Sequence, residues 1–131
     1  MKNFRTALLL SIAMLALTVA AAHAADRVQA GQWETTITSG ARDRVLKSCV
    51  TAAEASAANG DEKTFRDSIV KAAEQAGCTV KEVKVDGNNV VSDSTCGGMQ
   101  NTSKTIYHGD WYEQTSSNGT KVRAKRIGAC P

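Results

Sequence analysis

The side chains best suited to acid–base chemistry sit close together late in the chain, where His108, Asp110 and Glu113 fall within six positions. Such a group could serve a small hydrolase, but a hydrolase also needs an activated nucleophile or a metal-bound water. No G-x-S-x-G or C-x-x-C spacing occurs. His108 is also the only histidine beyond residue 23, whereas a zinc site gathers three or four convergent ligands. No metal, cofactor or catalytic residue is therefore expected, and a non-catalytic protein is favoured over a hydrolase at His108, Asp110 and Glu113. The other reactive groups are Cys49, Cys78, Cys96 and Cys130, an even set that suits two disulfides in an oxidising compartment.

Two further sets of charges invite a role. Lys121, Arg123 and Lys125 alternate along one stretch, so on a strand they share a face and make a basic row that could meet anions. With Tyr112 beside them they form a candidate anion-binding surface for an envelope lipid or polysaccharide. Glu113 and Arg126 fall on the opposite, core-side face in the same reading, as a structural ion pair. Asn101-Thr102-Ser103 and Asn118-Gly119-Thr120 match glycosylation acceptors, a pattern too common to carry weight.

The start of the chain bears on compartment. Lys2 and Arg5 precede an apolar run from Ala7 to Ala22, and Ala22-His23-Ala24 supplies a small-x-small site. Residues 1–24 thus read as a signal peptide cut before Ala25, leaving 25–131 as one small domain without a transmembrane anchor. The full chain has 16 basic and 13 acidic side chains, and loss of Lys2 and Arg5 leaves 14 against 13. A nearly neutral, exported domain is a poor candidate for nucleic acid. Periplasmic localisation is expected.

Positioning these groups falls to short elements. Gln32–Thr38 alternates with Trp33, Thr35 and Ile37 on one face, and Arg44–Val50 reads as a second strand. Thr51-Ala52-Ala53-Glu54 fits a capping box. The helix it opens should break at Asn59-Gly60 and restart with Asp61 as cap. Phe65, Ile69, Ala72, Ala73 and Ala76 then form an apolar stripe, with Glu62/Arg66 and Asp67/Lys71 as i,i+4 pairs and Gly77 as the stop.

Between Cys78 and Cys96, valine-rich arms flank Asp86-Gly87-Asn88-Asn89. Centring the hairpin on Gly87 sets Val83 opposite Val91, Lys81 opposite Asp93 and Thr79 opposite Thr95. Cys78 then faces Cys96, and Cys49 is left for Cys130, although a shifted turn would alter this register. After Gly97-Gly98, Gly109-Asp110 and Asn118-Gly119 mark two more turns. The last turn, taken as two residues, places Tyr112 against Lys125, Gln114 against Arg123 and Ser116 against Lys121. Ile106, His108, Trp111, Glu113, Thr115, Val122, Ala124 and Arg126 fall on the core side. The fold class is α+β: a curved antiparallel meander, open or partly closed into a barrel, with one helical excursion packed on it and two disulfides.

Gly31-Gln32-Trp33-Glu34, Cys49-Val50-Thr51, Tyr107-His108-Gly109-Asp110 and Arg126-Ile127-Gly128-Ala129-Cys130-Pro131 together resemble the proteobacterial exported proteins grouped as domain of unknown function 3617. The resemblance spans nearly all of 25–131 and implies export and this fold. It brings no catalytic residues. It leaves a secreted binding or envelope-associated module as the expected function.

Overall fold

The computed structural model describes residues 26–131, so the expected leader and the cut before Ala25 lie outside the described residues. Trp33, Thr35 and Ile37 share one face of β1 (Gly31–Ser39), and β2 (Arg42–Val50) pairs back on it across the two-residue loop Gly40-Ala41. Two helices follow, α1 (Ala52–Ala58) and α2 (Glu62–Gln75). The remaining chain is β3 (Cys78–Asp86), β4 (Asn89–Cys96), β5 (Met99–Tyr107), β6 (Trp111–Ser116) and β7 (Lys121–Gly128).

The capping box forms as expected: Thr51 Oγ1 accepts from the Glu54 N–H, and the Glu54 carboxylate accepts from the Thr51 N–H. Asp61 caps α2 by accepting from the Thr64 N–H, which holds its carboxyl below the usual range. The helical stripe is narrower than the spacing suggested. Phe65 is buried with Ile69 and Val70 packed beside it and Ala73 is half-buried, whereas Ala72 and Ala76 are exposed. Glu62 pairs with Arg66 as expected, but Asp67 pairs with Lys63 one turn before it rather than with Lys71.

All seven strands form one antiparallel sheet in the order β2-β1-β7-β6-β5-β4-β3. The first and last strands of the order, β2 and β3, are joined through α1 and α2, so the chain crosses from one edge to the other through its helices. Those edges are not paired with each other, which settles the closure question: the sheet is open, not a barrel. Phe65 packs on Val83 and Val90, with Ile69, Val80, Val85 and Tyr107 at the margin. An aromatic chain continues the core, from Phe65 to Tyr107 (5.7 Å), Tyr112 (5.4 Å) and Trp33 (5.9 Å).

Both disulfides are as expected, Cys49–Cys130 and Cys78–Cys96, with Cα–Cα separations of 5.4 and 4.3 Å. The hairpin register behind the second is only half as expected. Thr79 faces Thr95, but beyond a bulge at Lys81 the pairs shift to Glu82–Asp93, Val83–Ser92 and Lys84–Val91. The turn has two central residues, Gly87 and Asn88, and the one extra residue in β3 restores the cysteine pairing.

The last hairpin differs from expectation throughout. Ser116 N–H donates to Thr120 O and Gly119 N–H to Ser116 O, which closes a three-residue loop with Gly119 at φ +86°. The odd loop length moves every partner by one: Trp111 faces Lys125, Tyr112 faces Ala124, Glu113 faces Arg123 and Thr115 faces Lys121.

Candidate functional site

That one-residue shift decides which side chains share a face. Cross-strand partners project to the same side, so the outer face, away from α2, carries three rows across β1, β7, β6 and β5. One row is Thr36, Arg123, Glu113 and Ile106, and the next is Thr38, Lys121, Thr115 and Lys104. The third is Glu34, Lys125 and Trp111. The first two rows line a concavity of 620 Å³, and a second of 480 Å³ lies beside it over Asp110, Trp111, Lys125 and Arg126. Arg123 forms part of the wall of both.

Lys104, Lys121 and Arg123 surround the larger concavity against a single carboxylate, Glu113, and among the described residues none of the three cations has an ion-pair partner. Lys125 differs, because its Nζ lies 3.9 Å from Glu34 Oε1. Arg123 lies over the Trp111 ring, 5.5 Å from its centroid, and His108 stacks on the same indole at 3.7 Å with planes 7° apart. The indole thereby steadies the guanidinium through cation–π attraction. The arrangement can attract and hold an anion.

Lys121, Arg123 and Lys125 do share a face, and Lys104, which the sequence reading missed, joins them from β5. Only the registers of two hairpins, β5/β6 and β6/β7, bring Lys104 there. Tyr112 does not join the row. It sits on the helix side between Trp33 and Tyr107, where burial pushes its phenol above the ordinary value against the opposing pull of Thr35. Glu113 and Arg126 do not form the expected core-side pair. Glu113 faces the concavity, and exposed Arg126 donates from Nε to Ala30 O at 2.8 Å. Ile106, Trp111 and Thr115 likewise move from the expected core side to the outer face, while Val122 and Ala124 stay inside.

His108, Asp110 and Glu113 are not gathered into one centre. His108 is committed to Trp111, the Asp110 carbonyl accepts from Arg126 N–H, and Glu113 stands opposite Arg123. Among the described residues no three His, Cys, Asp or Glu side chains converge to hold a metal. Also among them, no helix is long and apolar enough to cross a membrane.

The most buried charge belongs to a residue the sequence reading passed over. Arg27 is 4% exposed and donates to Gly87 O (3.0 Å), Ala58 O (2.9 Å) and Gly60 O (3.3 Å), with its guanidinium 4.2 Å from the Phe65 centroid. Desolvation lowers its pKa, opposed by Tyr107 and Glu62. The Asn59 side-chain amide accepts from the Arg27 and Val28 N–H groups and donates to Val28 O. These contacts fasten the segment before β1 to the helix break.

The motifs at the two ends meet in space. Trp33 is 2% exposed and donates to Gln29 O, and a Cβ on Gly31 (φ +143°) would strike Gly128 O and Arg126 Nε. Cys130 then bridges to Cys49. Their residues therefore form a structural clasp, away from the basic concavity. A family model described as Protein of unknown function (DUF3617) matches residues 28–130. No curated protein and no solved structure matches the chain. With the match covering the whole described domain apart from its outermost residues, the chain belongs to the DUF3617 family.

Proposed function

We propose that this is an exported, periplasmic, non-catalytic binding module that receives an anionic group of an envelope lipid or acidic polysaccharide in the concavity over β1, β7, β6 and β5. The observation that carries the reading is the set Lys104, Lys121 and Arg123, three cations around one 620 Å³ concavity with Glu113 as its only carboxylate. Ile106 adds an apolar surface within it. The leader-like start and the two disulfides support export.

Co-sedimentation with vesicles containing anionic lipid, and in parallel with an acidic polysaccharide, tests the proposal. The wild-type protein binds one of them at low salt. Replacing Lys104, Lys121 and Arg123 together by Gln abolishes binding while the melting temperature stays within a few degrees, because these side chains leave no buried partner unpaired. Binding falls between 0.1 and 1 M salt, as the Debye length shrinks from about 10 to about 3 Å. Equal binding by the triple variant, or no binding to either anion at low salt, removes the reading.

A further inference from the structure

The two edges of the sheet are protected unequally. β3 carries the bulge at Lys81 and has α2 against it, two devices that discourage pairing with another strand. β2 has neither. It runs unbroken for nine residues, eight of them exposed, with Val45 at 56% and Leu46 at 38% exposure.

Its free backbone groups can be assigned. Ser39 and Arg42 close the hairpin around the two-residue loop Gly40-Ala41, so they exchange both ladder hydrogen bonds, and the pattern alternates from there. Arg42, Arg44, Leu46 and Ser48 therefore turn their peptide groups to β1. Asp43, Val45, Lys47 and Cys49 turn theirs to the open edge. An added antiparallel strand pairs with these groups.

We propose that the occupant is a second copy of this chain, with β2 pairing antiparallel to its own equivalent about Val45. In that register Val45 meets Val45 of the partner, and Asp43 of each chain lies opposite Lys47 of the other. On the reverse face Arg44 lies opposite Leu46, where its aliphatic stem covers apolar surface. The other symmetric registers lack this match. Centring on Asp43, Arg44 or Lys47 sets identical charges face to face, and centring on Leu46 leaves Asp43 opposite Cys49. The charges on this edge repel in the registers centred on Asp43, Arg44 and Lys47, and only the Val45-centred register gains two opposite-charge pairs, so they favour it for self-pairing. The two seven-stranded sheets join edge to edge, and their outer faces lie on the same side. Such a contact is small, so the dimer belongs to the weak class with a micromolar dissociation constant. This inference does not depend on anion binding, since Asp43, Val45 and Lys47 line neither outer-face concavity.

Sedimentation equilibrium of the purified protein from about 10 µM to about 1 mM at low salt tests it. The wild type shows a reversible monomer–dimer equilibrium. Asp43→Lys and Lys47→Asp each raise the dissociation constant by at least about tenfold, because two attractive pairs become repulsive. The double swap Asp43→Lys/Lys47→Asp restores dimerisation to within about threefold, since it rebuilds both pairs in the same register. Val45→Pro removes one outward N–H without touching the β1 ladder, and abolishes the dimer. Thermal melts keep misfolding distinguishable, as Asp43 also accepts from Thr38 Oγ1. A monomer at every concentration, a dimer indifferent to Val45→Pro, or a folded double swap that stays monomeric overturns the proposal.

Discussion

Replacing Arg27 tests how the N-terminal segment is held. Its guanidinium makes two short hydrogen bonds, to Ala58 O and Gly87 O, and a longer one to Gly60 O. Counting about 1.5 kcal/mol for each short charge-assisted bond, and about 1 kcal/mol for the desolvated contact with Phe65, gives about 4 kcal/mol for Arg27→Ala. A domain of this size loses about 4–8 °C per kcal/mol, so the melting temperature should fall by about 15–30 °C. Arg27→Lys keeps the charge but loses the fork that reaches several carbonyls, and should fall by less than half as much. Lys71→Ala, at an exposed position on α2, is the control and should change stability by no more than about 0.5 kcal/mol. Calorimetry of the three variants with disulfides intact decides the matter. A fall of less than about 5 °C for Arg27→Ala, or Lys as harmful as Ala, refutes the argument that these carbonyls depend on the guanidinium.

Removing Cys49–Cys130 as a pair of alanines should destabilise more than removing Cys78–Cys96, because their sequence separations are 81 and 18. Loop-closure entropy assigns about 4.5 and about 3.2 kcal/mol, and urea denaturation of the two variants measures the order. Burial pushes the Tyr107 phenol up to about 12 and raises Tyr112 as well. Between pH 10 and 12 the unfolded chain releases the Tyr107 proton and the native one keeps it, so stability is intact below pH 10. It then falls by about 1.4 kcal/mol per pH unit. In a Tyr112→Phe variant, phenolate absorbance of the native protein should show little ionisation of Tyr107 at about pH 10.5, and a normal titration near 10 would contradict this. Gly31→Ala places a methyl against Gly128 O and Arg126 Nε in a backbone region that favours glycine. It should cost about 2 kcal/mol or more in chemical denaturation.

Local signals settled the elements. The Thr51–Glu54 capping box, the Asp61 cap and the Asn59-Gly60 break are each specified by a few adjacent residues, and all occur where the chain spells them. The alternation of Gln32–Thr38 and the paired arms around Gly87 likewise needed no tertiary information. Cys78 and Cys96 found each other because a hairpin is a local object, and Cys49–Cys130 followed by elimination.

Loop length is where sequence stopped. Asn118-Gly119 suits a two-residue turn, but the chain closes a three-residue one, and a single residue of register exchanges the faces of β6. Glu113 and Trp111 went outward with the basic row, and Tyr112 went inward to the aromatic core. The concavity needed Lys104 from β5 beside Lys121 and Arg123 from β7, a juxtaposition made only by the strand order. Arg27 was equally illegible. No periodicity marks a lone arginine for burial, and its three carbonyl partners come from a helix break and a distant hairpin turn that only the folded chain brings together.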